Sequence, residues 1–147
     1  MPKVKDIMTK KVVSIGVNNS VFEAAELMSS NQVGCLVVMD GEMPMGIVTE
    51  RDIVRRAAAK KMSLDTKISE IMSNSLIAID PDASLKEAAR LMSSNKIRRL
   101  PVLKENRLVG IVVASDFVRN LGKKSISEEI LEAMGRARGR YPDASFP

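Results

Sequence analysis

Displaced by 64 residues, this sequence of 147 residues aligns with itself without a gap. Ile7-Met8 falls on Ile71-Met72, Glu23-Ala24-Ala25 on Glu87-Ala88-Ala89, and Leu27-Met28-Ser29-Ser30-Asn31 on the identical Leu91-Met92-Ser93-Ser94-Asn95. Gly46-Ile47-Val48 falls on Gly110-Ile111-Val112, and Asp52 on Asp116. Comparing 7–56 with 71–120 gives 20 identities in 50 positions, so the chain holds two copies of one unit. A unit of about 55 residues is marginal alone, because it buries too small a share of its surface. The two copies, 1–61 and 62–121, are therefore expected to pack together about a pseudo-twofold axis, with 122–147 as an appendage.

Each copy reads as strand, helix, strand, strand, helix. In the first, Val12 to Val17 is a short β-branched run. Ser20-Val21-Phe22-Glu23 has the spacing of a capping box, in which the Ser oxygen accepts from the first helical turn and the Glu reaches back. Ala24, Ala25, Leu27 and Met28 supply the apolar face of the helix. Val33 to Met39 is almost continuously apolar, as suits a strand covered on both faces. Asp40-Gly41 marks a turn, Met45 to Thr49 returns as the next strand, and Thr49-Glu50-Arg51-Asp52 opens the last helix with two carboxylates in its first turn. The second copy repeats this with Ser84-Leu85-Lys86-Glu87 as its capping box and Glu105-Asn106 at the hairpin. Helices joining strands in this order pack on a sheet, which predicts an α/β fold.

Composition narrows the chemistry. The chain has no histidine, which removes imidazole bases, Ser-His and Cys-His nucleophile systems and most zinc sites. No carboxylate pair stands out for acid–base work, so no catalytic residue, metal ligand or obligatory cofactor is expected. The single cysteine, Cys35, excludes an internal disulfide, and its apolar neighbours Leu36-Val37-Val38 predict a small core residue. No apolar stretch approaches the roughly 20 residues of a membrane helix, and Met1 to Asp6 has no apolar signal core. A cytoplasmic protein is expected. A net charge of +5 favours anionic partners without choosing among them.

The ordered motifs resemble a CBS motif in each copy, and the pair resembles a Bateman module. The resemblance rests on Asp6-Ile7-Met8, the Glu-Ala-Ala and Leu-Met helix, Ile97-Arg98-Arg99-Leu100-Pro101-Val102 and the closing Gly-Ile-Val-x-x-x-Asp, and it covers roughly 1–121. It implies a regulatory module, not an enzyme, that binds an adenine nucleotide (AMP, ADP or ATP) or a related adenosyl compound such as S-adenosylmethionine or a dinucleotide. The ligand would lie in a cleft between the motifs. The resemblance also implies a homodimer acting on a protein target the sequence does not name.

The residues of the closing segment fit such a ligand. Gly46 permits close approach to the backbone, Thr49 stands at a helix N-cap, and the Asp52 carboxylate can accept both ribose hydroxyls. The same spacing also suits a Thr that merely caps and an Asp that merely complements the helix dipole. The resemblance assigns ribose to the Asp and ribose or phosphate to the Thr. Arg51 lies between them. The second copy keeps Asp116 but has Val113 where Thr is expected, whereas it alone has the basic pair Arg98-Arg99, followed by Pro101. The planar fork of Arg suits phosphate, and the first copy has only Gly34-Cys35 there. The resemblance places the adenine against the first strands, at Ser14-Ile15 and Ala78-Ile79. Ser14 has a hydroxyl that Ala78 lacks, and with Thr49 and Asp52 it makes the first half the more complete site.

Beyond Leu121 the repeat ends. Ser125-Ile126-Ser127-Glu128 begins another capping box, and Ile130, Leu131 and Met134 predict a short amphipathic helix. Gly135-Arg136-Ala137-Arg138-Gly139-Arg140-Tyr141 suggests the alternative function, a nucleic-acid or protein-docking module using a basic tail. The recurrence of Met8, Met28, Met72 and Met92 at equivalent positions predicts core packing.

Overall fold

The structure, a computed structural model, describes residues 2–74 and 76–120. The expected C-terminal helix and basic tail lie outside the described residues. The fold is the mixed α/β arrangement of two β-α-β-β-α repeats. Among the described residues no helix is long and apolar enough to cross a membrane.

The chain divides into two compact units that do not coincide with the sequence repeats: Lys11–Ile77, and Met1–Lys10 together with the chain from Ala78 onward. Each unit takes the lead-in of the other repeat, and hydrogen bonds show why. The helical turn α1 (Val4–Ile7) is anchored by Val4 N–H to Ala83 O and Lys5 N–H to Pro81 O, both 2.9 Å. Thr9 then exchanges both backbone hydrogen bonds with Ile111, each 2.9 Å. In the other unit Ser73 N–H donates to Ile47 O at 3.0 Å.

In the unit 11–77, β1 (Ser14–Gly16) runs parallel to β2 (Cys35–Asp40), with Ser14 opposite Val37. β3 (Met43–Thr49) returns antiparallel, so the strand order is β1-β2-β3. Between β1 and β2, α2 (Val21–Asn31) starts in the expected capping box: Ser20 Oγ accepts from Glu23 N–H at 3.1 Å, and Glu23 Oε1 accepts from Ser20 N–H at 3.0 Å. The bond from Ser20 N–H, with a second from Asn19 Nδ2 to Glu23 Oε2 at 3.0 Å, holds the Glu23 carboxyl below its ordinary pKa, because each favours the charged form. The core is aliphatic: Val21, Ala24 and Met28 of α2 pack with Leu36, Val38, Val48, Ile68, Ile71 and Met72. α3 (Glu50–Asp52) opens directly into a π-helical segment, Ile53–Ala58. Nothing in the sequence reading anticipated that wider winding.

The second unit repeats the plan with α4 (Leu85–Asn95), β4 (Arg99–Lys104), β5 (Arg107–Val113) and α5 (Ala114–Arg119). Both hairpins slip register by one residue at the same repeat position, between Val38 and Met39 and between Val102 and Leu103. Both α2 and α4 end on a left-handed residue, Gln32 and Lys96. The first strand differs. Among the described residues of this segment only Ile79 bridges β4, opposite Val102. In β2, Val37 N–H donates to Val13 O at 3.2 Å, and its counterpart Pro101 has no N–H to give. Cys35 is half-buried at the start of β2 and not in the core. Met28, Met72 and Met92 are core residues as expected, and Met8 is half-buried against Gly110.

Candidate ligand-binding site

The sheet of the unit 11–77 gathers the expected residues of the first copy at one end. Thr49, the last residue of β3, pairs with Cys35, the first of β2, and Ser14 begins β1 two residues further along. Gly34 O accepts from Glu50 N–H at 3.0 Å, which turns the chain from β3 into α3. Ser14 and Arg51 are exposed, Thr49 and Asp52 are half-buried, and Ile15 is a core residue.

Thr49 and Asp52 form a mutual cap. Asp52 Oδ2 accepts from Thr49 N–H at 2.9 Å and from Thr49 Oγ1 at 3.1 Å, and Thr49 Oγ1 accepts from Asp52 N–H at 3.2 Å. The capping role open at the sequence level is thus real. It engages one carboxylate oxygen. The other, Oδ1, faces Arg56 Nε at 3.6 Å, beyond hydrogen-bond reach. The Asp52 side chain keeps 15% of its surface exposed. Arg56 is held in place by donating Nη1 to Ile71 O at 3.2 Å and Met72 O at 3.4 Å. Sequence reasoning missed Arg56, although its place four residues after Asp52 is the spacing of a helical ion pair.

In the second unit the carboxylate is occupied on both oxygens. Asp116 Oδ2 accepts from Val113 N–H at 2.7 Å, and Oδ1 is paired with Arg119 Nη2. Asn120 Nδ2 donates to Asp116 O at 2.7 Å, and the Asp116 side chain is only 1% exposed. Arg99 begins β4 opposite Val113, and Arg98 O accepts from Ala114 N–H at 2.9 Å. Both arginines are half-buried. Ala78 is half-buried, while Ile79 and Pro101 are buried and joined by Ile79 N–H to Pro101 O at 3.0 Å.

The glycine of the closing segment serves the protein itself. A Cβ on Gly46 would stand 2.1 Å from Ser73 O, and one on Gly110 would stand 2.6 Å from Met8 Sδ and 2.9 Å from Thr9 O. The space read from sequence as room for a ligand is filled by the exchanged lead-in segments. Among the described residues no group of three or more Cys, Asp or Glu could hold a metal ion.

A model of the CBS domain matches residues 4–59 and again 68–123. The CBS domain-containing protein YhcV of Bacillus subtilis is 40% identical over 120 residues, covering 82% of this chain and 86% of that one. The crystal structure of the CBS-domain containing protein ATU1752 from Agrobacterium tumefaciens superposes with a TM-score of 0.74 at 29% identity, over 80% of this chain and 98% of that one. The CBS domain pair of protein MJ0100, in complex with 5-methylthioadenosine and S-adenosyl-L-methionine, has a TM-score of 0.74 at 31% identity, over 83% and 97%.

Proposed function

Because the chain belongs to the CBS-domain family as a tandem pair, a regulatory module, we propose that it senses an adenosyl ligand, with the first repeat supplying the ribose site. The observation that carries the reading is the state of Asp52. Its Oδ2 is committed to Thr49, while Oδ1 is only loosely ion-paired with Arg56 Nε at 3.6 Å, beyond hydrogen-bond reach, and part of the side chain is exposed. A ribose diol donates two hydroxyls, and a charged carboxylate oxygen makes the stronger kind of acceptor for them. Ser14 stands at the same end of the sheet, where its hydroxyl can serve a purine edge.

The bound adenosyl compounds of the MJ0100 pair support the ligand class. In the second unit Arg98 and Arg99 are suited to a phosphate, which favours AMP, ADP or ATP there over an uncharged nucleoside. The protein acts as a cytoplasmic homodimer that reports ligand occupancy to a protein target and catalyses no reaction. A thermal-shift panel of adenosine, AMP, ADP, ATP and S-adenosylmethionine tests the reading. A ligand at 100 times its Kd stabilises the folded state by about 2.7 kcal/mol. An unchanged melting temperature with all five compounds at millimolar concentration would sink it.

A further inference from the structure

We infer that Arg119 is a specificity-determining residue of the second unit: it covers the Asp116 carboxylate, so that this half accepts an adenosyl ligand only when the ligand brings an anionic group for the displaced guanidinium. The inference rests on the adenosyl reading above. Asp52 and Asp116 occupy the same repeat position, and so do Arg55 and Arg119. The pair nevertheless forms only in the second unit, where Asp116 Oδ1 meets Arg119 Nη2.

The winding of the following segment explains the difference. α5 is α-helical, so the residue three positions after Asp116 comes back beside it. In the first unit the chain after Asp52 is π-helical, and it is Arg56, four positions on, that faces the carboxylate. Arg56 stands off from Asp52 at 3.6 Å, with its Nη1 donated to the carbonyls of Ile71 and Met72. The Arg119 side chain is 66% exposed, so its guanidinium can reach water or another anion on leaving Asp116.

A neutral ribose offers Arg119 nothing in exchange for the carboxylate, whereas a nucleotide phosphate offers a bidentate partner. The second unit should therefore discriminate by ligand charge, and the first should not.

Calorimetry on the full chain tests this with adenosine and AMP as probes and Asp52→Ala as the background, so that the second unit is read alone. In D52A, AMP is expected to bind at least about tenfold more tightly than adenosine, the effect of one charge-assisted contact. Adding Arg119→Ala should strengthen adenosine and weaken AMP, narrowing the difference at least about threefold, with any preference for AMP that remains belonging to Arg98 and Arg99. Arg119→Gln, which keeps most of the side chain's bulk without its charge, should do the same and covers the case in which R119A does not fold. Adenosine affinity unchanged by both Arg119 substitutions overturns the inference, as does a D52A protein that binds neither probe. An unmutated protein that binds neither probe overturns the adenosyl reading, and the inference with it.

Discussion

Thr49 and Asp52 hold each other in a closed set of three hydrogen bonds, in which the threonine hydroxyl both donates to Asp52 Oδ2 and accepts from Asp52 N–H. The second repeat has Val113 at this position and keeps only the backbone bond, Val113 N–H to Asp116 Oδ2. The two halves can be exchanged by single substitutions. Thr49→Val should cost about 1 kcal/mol of stability through the lost cap, and Val113→Thr should add about 0.5–1 kcal/mol. Urea denaturation of both variants measures this. A V113T protein no more stable than the parent would show that Asp116 N–H gains nothing from a hydroxyl.

Gly46 and Gly110 are predicted to tolerate alanine unequally. At Gly46 the new methyl would meet a backbone oxygen, Ser73 O at 2.1 Å, which cannot move without breaking the Ser73–Ile47 bridge. At Gly110 the nearest atom is the flexible Met8 Sδ at 2.6 Å, with Thr9 O at 2.9 Å behind it. Overpacking costs typically about 1–3 kcal/mol, so G46A should lie at or above the top of that range and G110A within it. The midpoints of denaturant unfolding compare them, and a G110A protein as unstable as G46A would contradict this account of the lead-in contacts.

Much of this was legible because the sequence says it twice. The capping Ser20 and Ser84, the hairpin at Glu105-Asn106 and the core methionines follow from local spacing read in duplicate, whereas β3 begins at Met43, two residues before the expected Met45. What was missed depends on partners far along the chain or on backbone winding without a residue signature. Thr9 pairs with Ile111, and no local pattern announces a contact 102 positions away. The π-helical Ile53–Ala58 has the same residue types as an α-helix, so Arg56, not Arg55, faces Asp52. Pro101 was legible as a family residue, but its effect on the first strand required knowing that Val37 N–H makes a bond there.

The N-terminal segment is tied to the second unit by charge. Asp82 lies 3.0 Å from Lys5, 3.8 Å from Lys3 and 3.5 Å from Lys104. The hydrogen bond from Lys5 is the main reason the Asp82 carboxyl sits below its ordinary pKa, and the same bond raises Lys5. A depressed carboxyl contributes stability that is present above its unfolded pKa of about 4 and lost as pH falls through the folded value. A raised lysine contributes stability present below about 10.4 and lost as pH rises through its folded value. The gap in melting temperature between the parent and Asp82→Asn should therefore be flat from about pH 5 to pH 9 and narrow at both ends. Since these groups are exposed, 1 M salt should shrink the gap throughout. A gap that widens toward pH 3 would contradict the assignment.

The central claim is that Asp52 is the ribose acceptor, and calorimetric titration of the Asp52→Ala and Asp116→Ala variants with AMP tests it most directly. A carboxylate bond to a ribose hydroxyl is worth about 1.5–3 kcal/mol, so D52A should weaken the tighter binding event about 10-fold to 150-fold. D116A should cost less, since both Asp116 oxygens already have partners in the protein. The account predicts that large loss for D52A and a clearly smaller one for D116A; equal losses would contradict the asymmetry, and undiminished AMP binding in both variants would contradict the ribose site itself.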